Sequence, residues 1–291
     1  THRFLELTSN KNVDLKEVSE LIGLDHALSL KVVRLVNSAH FAPASPVTNI
    51  LRAVNLLGLN TVRFIVLGAS VIESVGQFAD NDILNADKFW LHSFRCAIAT
   101  KHLAELFHYE DPAEAYLVGL LHDVGKVALI QCAYEKYLEV FTESDMDIDD
   151  LWDLDFDANH QEMIEPEDET LPKREQDVLG FTHADVSALL FLDWNFGKLL
   201  SEVVIAHHQP SYFKHIEKKN LACLLYLANK LCYLGTQFDY EAFYHQLDPF
   251  VIETLQTISP SFGANSLCDI ALDMLPHFES CQEILQTLIT P

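Results

Sequence analysis

Residues 121–126 read Leu121-His122-Asp123-Val124-Gly125-Lys126 and join two apolar stretches of helical spacing, 113–121 and 126–142. Successive residues on a helix diverge by about 100°. His122 and Asp123 can therefore both reach one ion only if it sits beside a helix end, or if other helices complete the cage. Further histidines lie far off in the chain: His92, His183 and the pair His207-His208. Imidazole with carboxylate suits a divalent transition metal, Fe, Mn, Zn or Ni, as one ion or two; an all-oxygen Mg site would not use so many histidines. Lys126 lies one turn after His122, where it can steady Asp123 or meet a phosphate oxygen.

Helical spacing continues outward in both directions, and strand alternation is scarce. Residues 14–23 carry an apolar stripe closed by Gly23, and Asp25 can cap a second helix reaching Val36. Pro43 and Pro46 make 39–47 a loop, and helices are expected over 48–57 and 60–75. Longer ones follow over 88–107, 113–121, 126–142, 182–194, 197–208, 220–234 and 240–257, then 264–275 and 279–289. Between them, 143–177 is crowded with acidic residues opposed only by Lys173 and Arg174. It reads as an acidic insertion or mobile connector, partly helical around Leu151–Phe156. The fold class is all-α.

Apolar residues make up 49% of the 291, enough for a substantial core. Against 43 Asp and Glu stand 19 Lys and Arg, a net charge of −24. Such a surface repels phosphate backbones, so no nucleic-acid partner is expected, and it suits a basic protein surface instead. The cysteines are 96, 132, 223, 232, 268 and 281, with no CxxC pair and mostly apolar neighbours, as in reduced core thiols of a cytoplasmic protein. No basic-then-apolar leader opens the sequence, and runs such as 62–72 and 221–229 are too short to span a bilayer, so no membrane association is expected. Asp145, Asp147 and Asp149 echo a calcium loop, but Asp150 and Phe156 stand where its Gly and Glu belong, which excludes an EF-hand. No phosphate-binding glycine loop and no GxSxG elbow is present.

Two blocks carry a family resemblance. One runs from Asp25-His26-Ala27-Leu28 through Lys31–Phe41, with its Asn37-Ser38-Ala39-His40-Phe41, to Ile50–Gly58, with Ala53-Val54-Asn55-Leu56-Leu57-Gly58. The other holds Trp90-Leu91-His92-Ser93 and Ala113–Lys126. Together they resemble the HDOD domain, the HD-related output domain of bacterial signalling proteins, over roughly residues 1–212. Asp25-His26 replaces the usual Asp-Pro. The resemblance implies a two-lobed helical bundle: an N-terminal HDOD subdomain over 1–85 and an HD-like bundle over 86–291. It implies His92, His122, Asp123, His183, His207, His208 and position 229 as metal ligands, with Asp123 and Lys126 in the catalytic role of HD hydrolases. Asn229 stands where the closing HD aspartate belongs, a neutral oxygen in place of an anionic one. The Gly-Tyr-Pro signature of cyclic-di-GMP hydrolases is missing after the HD pair.

These observations favour a regulatory protein that acts through protein partners and keeps part of an HD metal site. The alternative is an active metal-dependent phosphohydrolase acting on a nucleotide or other phosphate-containing small molecule. A third reading makes the histidines packing residues of a degenerate bundle, and it stands or falls on whether the rings converge.

Overall fold

Val18 and Ile22 form the buried stripe of α1 (Leu15–Gly23), which starts where the Asp14 carboxylate accepts the Lys16 amide at 2.8 Å. The computed structural model describes residues 14–37, 45–56, 58–59, 62, 66, 83–142, 170–213, 215–233 and 239–289. Among these, the regular structure is helical and no strand occurs. The chain divides into two compact units: residues 1–78 with 279–291, and residues 79–278.

In the first unit α1 packs on α2 (His26–Val36), whose Val32 and Val36 are fully buried. Asn37 closes α2. Its amide donates to the Val33 and Val47 carbonyls (2.8 and 2.7 Å), and its oxygen accepts the Val47 amide at 2.8 Å. One side chain thus satisfies a helix end and the backbone of the next segment. Helical residues 50–56 follow, with Ala53 and Val54 buried. Most of the expected helix over 60–75 lies outside the described residues.

The second unit is built around α3 (Ala86–Leu106), started by Asn85 accepting the Lys88 amide at 3.0 Å. Every residue from Phe89 to Thr100 is buried, so α3 is enclosed on all sides and central. Packed along it are α4 (Pro112–Leu121), capped by Asp111, and α9 (Lys219–Leu231), whose residues 221–229 are all buried. Next come α5 (Val124–Thr142), α6 (Leu171–Leu179), α7 (His183–Asp193) and α8 (Lys198–Ile205); α5 packs on α6 and α7, and α7 on α8. The stretch Pro112–Phe141 is long and apolar enough to cross a membrane, with mean hydropathy 1.2, but 83% of its most apolar part is buried inside the protein.

Three expectations change. The helix expected over 240–257 is two, α10 (Tyr240–Tyr244) and α11 (Pro249–Ile258), because Pro249 disfavours a helical residue before it. Asp248 uses the break, capping the Phe250 amide at 2.9 Å. Conversely, the helices expected over 264–275 and 279–289 are one, α12 (Ala264–Ile289), running through Pro276. The bond lost there is to Leu272, which lies on an exposed face where water can meet its carbonyl. Last, the acidic stretch 143–177 ends in ordered structure: residues 171–177 belong to α6, and Glu175 is fully buried. The rest of that stretch, including Leu151–Phe156, lies outside the described residues.

Two glycines let the helices approach around residues 122 and 123. A Cβ on Gly119 would come within 2.6 Å of the Cys96 carbonyl and 2.7 Å of the Ala97 Cα on α3. A Cβ on Gly125 would strike the His183 carbonyl and come within 2.8 Å of the Ser187 amide on α7. Gly125→Ala is expected to destabilise the protein by about 1–3 kcal/mol in urea denaturation. Gly263→Ala, which meets nothing within 4 Å, should change stability by less than about 0.5 kcal/mol.

Candidate metal centre

α4 ends at Leu121 and α5 begins at Val124, so His122 and Asp123 occupy a break between helices. That is the helix-end placement, one of the two arrangements that adjacency allows. Side chains from three other places meet Asp123. His92 comes from the middle of α3. His183 is the first residue of α7, fixed by a capping box in which Thr182 and Asp185 bond each other's backbone amides. His207 and His208 follow directly on α8.

Each oxygen of Asp123 faces its own set of rings. Oδ2 lies 3.4 Å from His122 Nε2 and 3.7 Å from His92 Nε2, and those two nitrogens are 3.3 Å apart. Oδ1 lies 3.2 Å from His183 Nε2 and 3.5 Å from His207 Nε2, and His208 Nε2 is 2.8 Å from His183 Nε2. Two donor groups result, His92–His122–Asp123 and Asp123–His183–His207–His208, and within each the ligand atoms lie within 4.8 Å of one another. Apart from partly exposed His208, all of these side chains are buried. The rings converge on Asp123, as a shared metal site requires.

Backbone carbonyls decide which ring nitrogen faces inward. His122 Nδ1 lies 2.8 Å from the Gly119 carbonyl and His207 Nδ1 lies 2.6 Å from that of Val204. A carbonyl only accepts, so each Nδ1 carries the hydrogen, and Nε2 is left to face Asp123. Burial holds His207 below its ordinary pKa, so it is neutral, with an electron pair on Nε2. That Nε2 and Asp123 Oδ1 are both buried and neither forms a well-made hydrogen bond. Two electron-pair donors face each other with no proton between them, an arrangement that calls for a cation. The donor set therefore fits a divalent transition metal.

The charges around the cluster follow from the same geometry. Burial would lower the His122 ring, but Asp123 and Cys96 raise it to about 10. Burial would raise Asp123, yet His122, Lys126, His183 and His207 hold it well below the usual carboxylate range. Lys126 is buried and donates to Asp123 Oδ2 at 2.7 Å, so of its two expected roles the structure displays the first. Asn229 is buried on α9 and, with His207, His208, Tyr226 and Lys230, lines a pocket of about 240 Å³.

Four neighbours were missed in the sequence. The Glu175 carboxylate accepts the His183 ring Nδ1–H at 2.7 Å and the His183 amide at 2.8 Å, and it accepts the Tyr137 hydroxyl at 2.7 Å. Burial would lower His183, but Glu175 raises it to about 9. Leu171 and Glu175 sit at i and i+4 on the buried face of α6, a placement readable only once that stretch is taken as a helix. Ser187 accepts the Gly125 amide at 2.8 Å. Cys96, one turn after His92, sets its thiol against Cys232 and His122; burial would raise that thiol, and these contacts bring it down to about 6.

A family model for the HDOD domain matches residues 1–163 and 147–210. The chain belongs to the HDOD family. An uncharacterized protein of Treponema pallidum (strain Nichols) is 24% identical to this HDOD protein over 271 residues, covering 88% of the chain. The chain spans 47% of that relative's length. Among solved structures, an HDOD domain protein of unknown function from Geobacter sulfurreducens superposes with a TM-score of 0.70 at 20% identity, covering 100% of this chain and 91% of the other. A candidate phosphohydrolase from Shewanella amazonensis SB2B gives 0.66 at 22% identity, covering 97% and 91%. These likenesses show the helical fold.

Asn229→Asp puts a charged oxygen beside His207 and His208. It is expected to tighten divalent-metal binding about tenfold in calorimetric titration with Mn2+. An unchanged Kd would place that side chain beyond the ion's reach.

Proposed function

We propose that this HDOD protein works in bacterial signal transduction, with a divalent transition metal held in its HD-type centre as structural core or sensor, and that it acts by binding a protein partner. The observation that carries the metal part is the pair of donor groups sharing Asp123. His92 and His122 would hold one side, and His183, His207 and His208 the other. The regulatory part is supported by family membership and by Asn229, which leaves Asp123 as the one carboxylate offered to an ion among the described residues. Lys126 already draws on Asp123 Oδ2, which weakens that oxygen as a donor. The partner surface expected is basic, complementary to a net charge of −24.

The pocket beside His207, His208 and Asn229 favours a second reading, hydrolysis of a phosphate-containing small molecule, because about 240 Å³ admits a phosphate group to the cluster. A bound ion would supply Lewis acidity and acidify a water molecule. Lys230, at the same pocket, would meet a phosphate oxygen, and Tyr226 would shield the site from bulk water.

The test is metal analysis of the purified protein followed by a phosphoesterase screen with added Mn2+ or Fe2+. One to two equivalents of transition metal are expected, lost in Asp123→Ala, with slow turnover at most. Absence of metal would sink the proposal, and a fast rate abolished by Asp123→Ala would put the hydrolase reading first.

A further inference from the structure

Asp123 and Glu175 are the two buried carboxylates among the described residues, and both touch the His183 ring. Asp123 lies on its Nε2 side and Glu175 on its Nδ1 side. Elsewhere the described acidic residues sit at the surface or partly exposed. A carboxylate sealed away from water is costly unless its lone pairs are met, and Glu175 meets them with three hydrogen bonds. Two come from His183 and one from Tyr137, so three helices, α5, α6 and α7, converge on this one side chain.

We infer that Glu175 is a positioning residue for the metal centre, supplying through His183 the negative charge that the neutral amide at 229 does not. The inference rests on the metal-centre reading. A carboxylate on Nδ1–H fixes the tautomer that points Nε2 at Asp123, and it makes the ring a stronger electron donor. Charge accounting gives the same result. With the rings neutral as ligands, Asp123 and Lys126 cancel at the centre, and Glu175 is the further carboxylate sealed against a ring of the cluster. A charge at 229 and a charge at 175 are therefore exchangeable in part, although one would touch the ion and the other acts at one remove.

Cobalt(II) titration of the full chain tests this, followed by calorimetry and by the visible absorption of the bound ion. Glu175→Gln is expected to weaken cobalt binding about 10- to 100-fold and to alter the cobalt spectrum. Adding Asn229→Asp should gain more affinity in the Glu175→Gln background than in the wild-type chain, whereas a purely structural role for Glu175 leaves the two gains equal. Cobalt affinity and spectrum unchanged in Glu175→Gln, or equal gains from Asn229→Asp in the two backgrounds, overturns the inference. Should Glu175→Gln fail to fold, Glu175→Asp serves, since it draws the charge back from His183. Its affinity should fall, Asn229→Asp should again gain more than in the wild-type chain, and an unchanged affinity overturns the inference equally. If the wild-type chain takes up no cobalt at all, the metal-centre reading itself has failed.

Discussion

The site depends on how closely three helices approach the His122-Asp123 pair. Gly119 lies three residues before His122 and Gly125 two after Asp123, and each presses its bare Cα against the backbone of another helix. On one side that helix is α3, which carries His92. On the other it is α7, which opens with His183. A side chain at either glycine would push its helix outward by a fraction of its own width, enough to pull a ring from Asp123, since metal–ligand bonds tolerate only a few tenths of an ångström. The Gly of the HDxGK string is thus there for the packing of α5 on α7 as much as for any chemistry of its own.

Around that contact the protein buries an unusual quantity of polar chemistry in an apolar bundle. His92, His122, Asp123, Lys126, Glu175, His183, His207 and Asn229 are all shielded from water. Such groups weaken a core unless they answer one another. Most do so here, through Lys126 on Asp123, Glu175 on His183 and two backbone carbonyls on His122 and His207, while His207 Nε2 and Asp123 Oδ1 are left facing each other. The interior is arranged around charge, and the apolar faces of α3, α4 and α9 enclose it.

Much of this was legible in the sequence. The all-α class followed from 3.6-residue spacing, and the histidines that converge on Asp123 were picked out by the HDOD resemblance. The failures have physical causes. Pro249 and Pro276 are both prolines within apolar periodic stretches, yet one breaks its helix and the other is absorbed. The difference lies in Asp248, which caps the Phe250 amide two residues on, a local start signal that the apolar period on either side masked. Glu175 was hidden because it closes an acidic stretch whose composition argued for solvent. A single carboxylate facing inward among many facing outward leaves no mark on composition.

Asp123 is also the common wall between two compartments of the site, each oxygen committed to a different set of rings. A shared wall forbids independence. Whatever cation settles on one oxygen drains electron density from its twin, so the neighbouring compartment becomes a poorer host the moment the first is filled. A carboxylate that divides its two oxygens between neighbours ties the two sets of rings to one side chain, so a movement of Asp123 is felt on both sides at once.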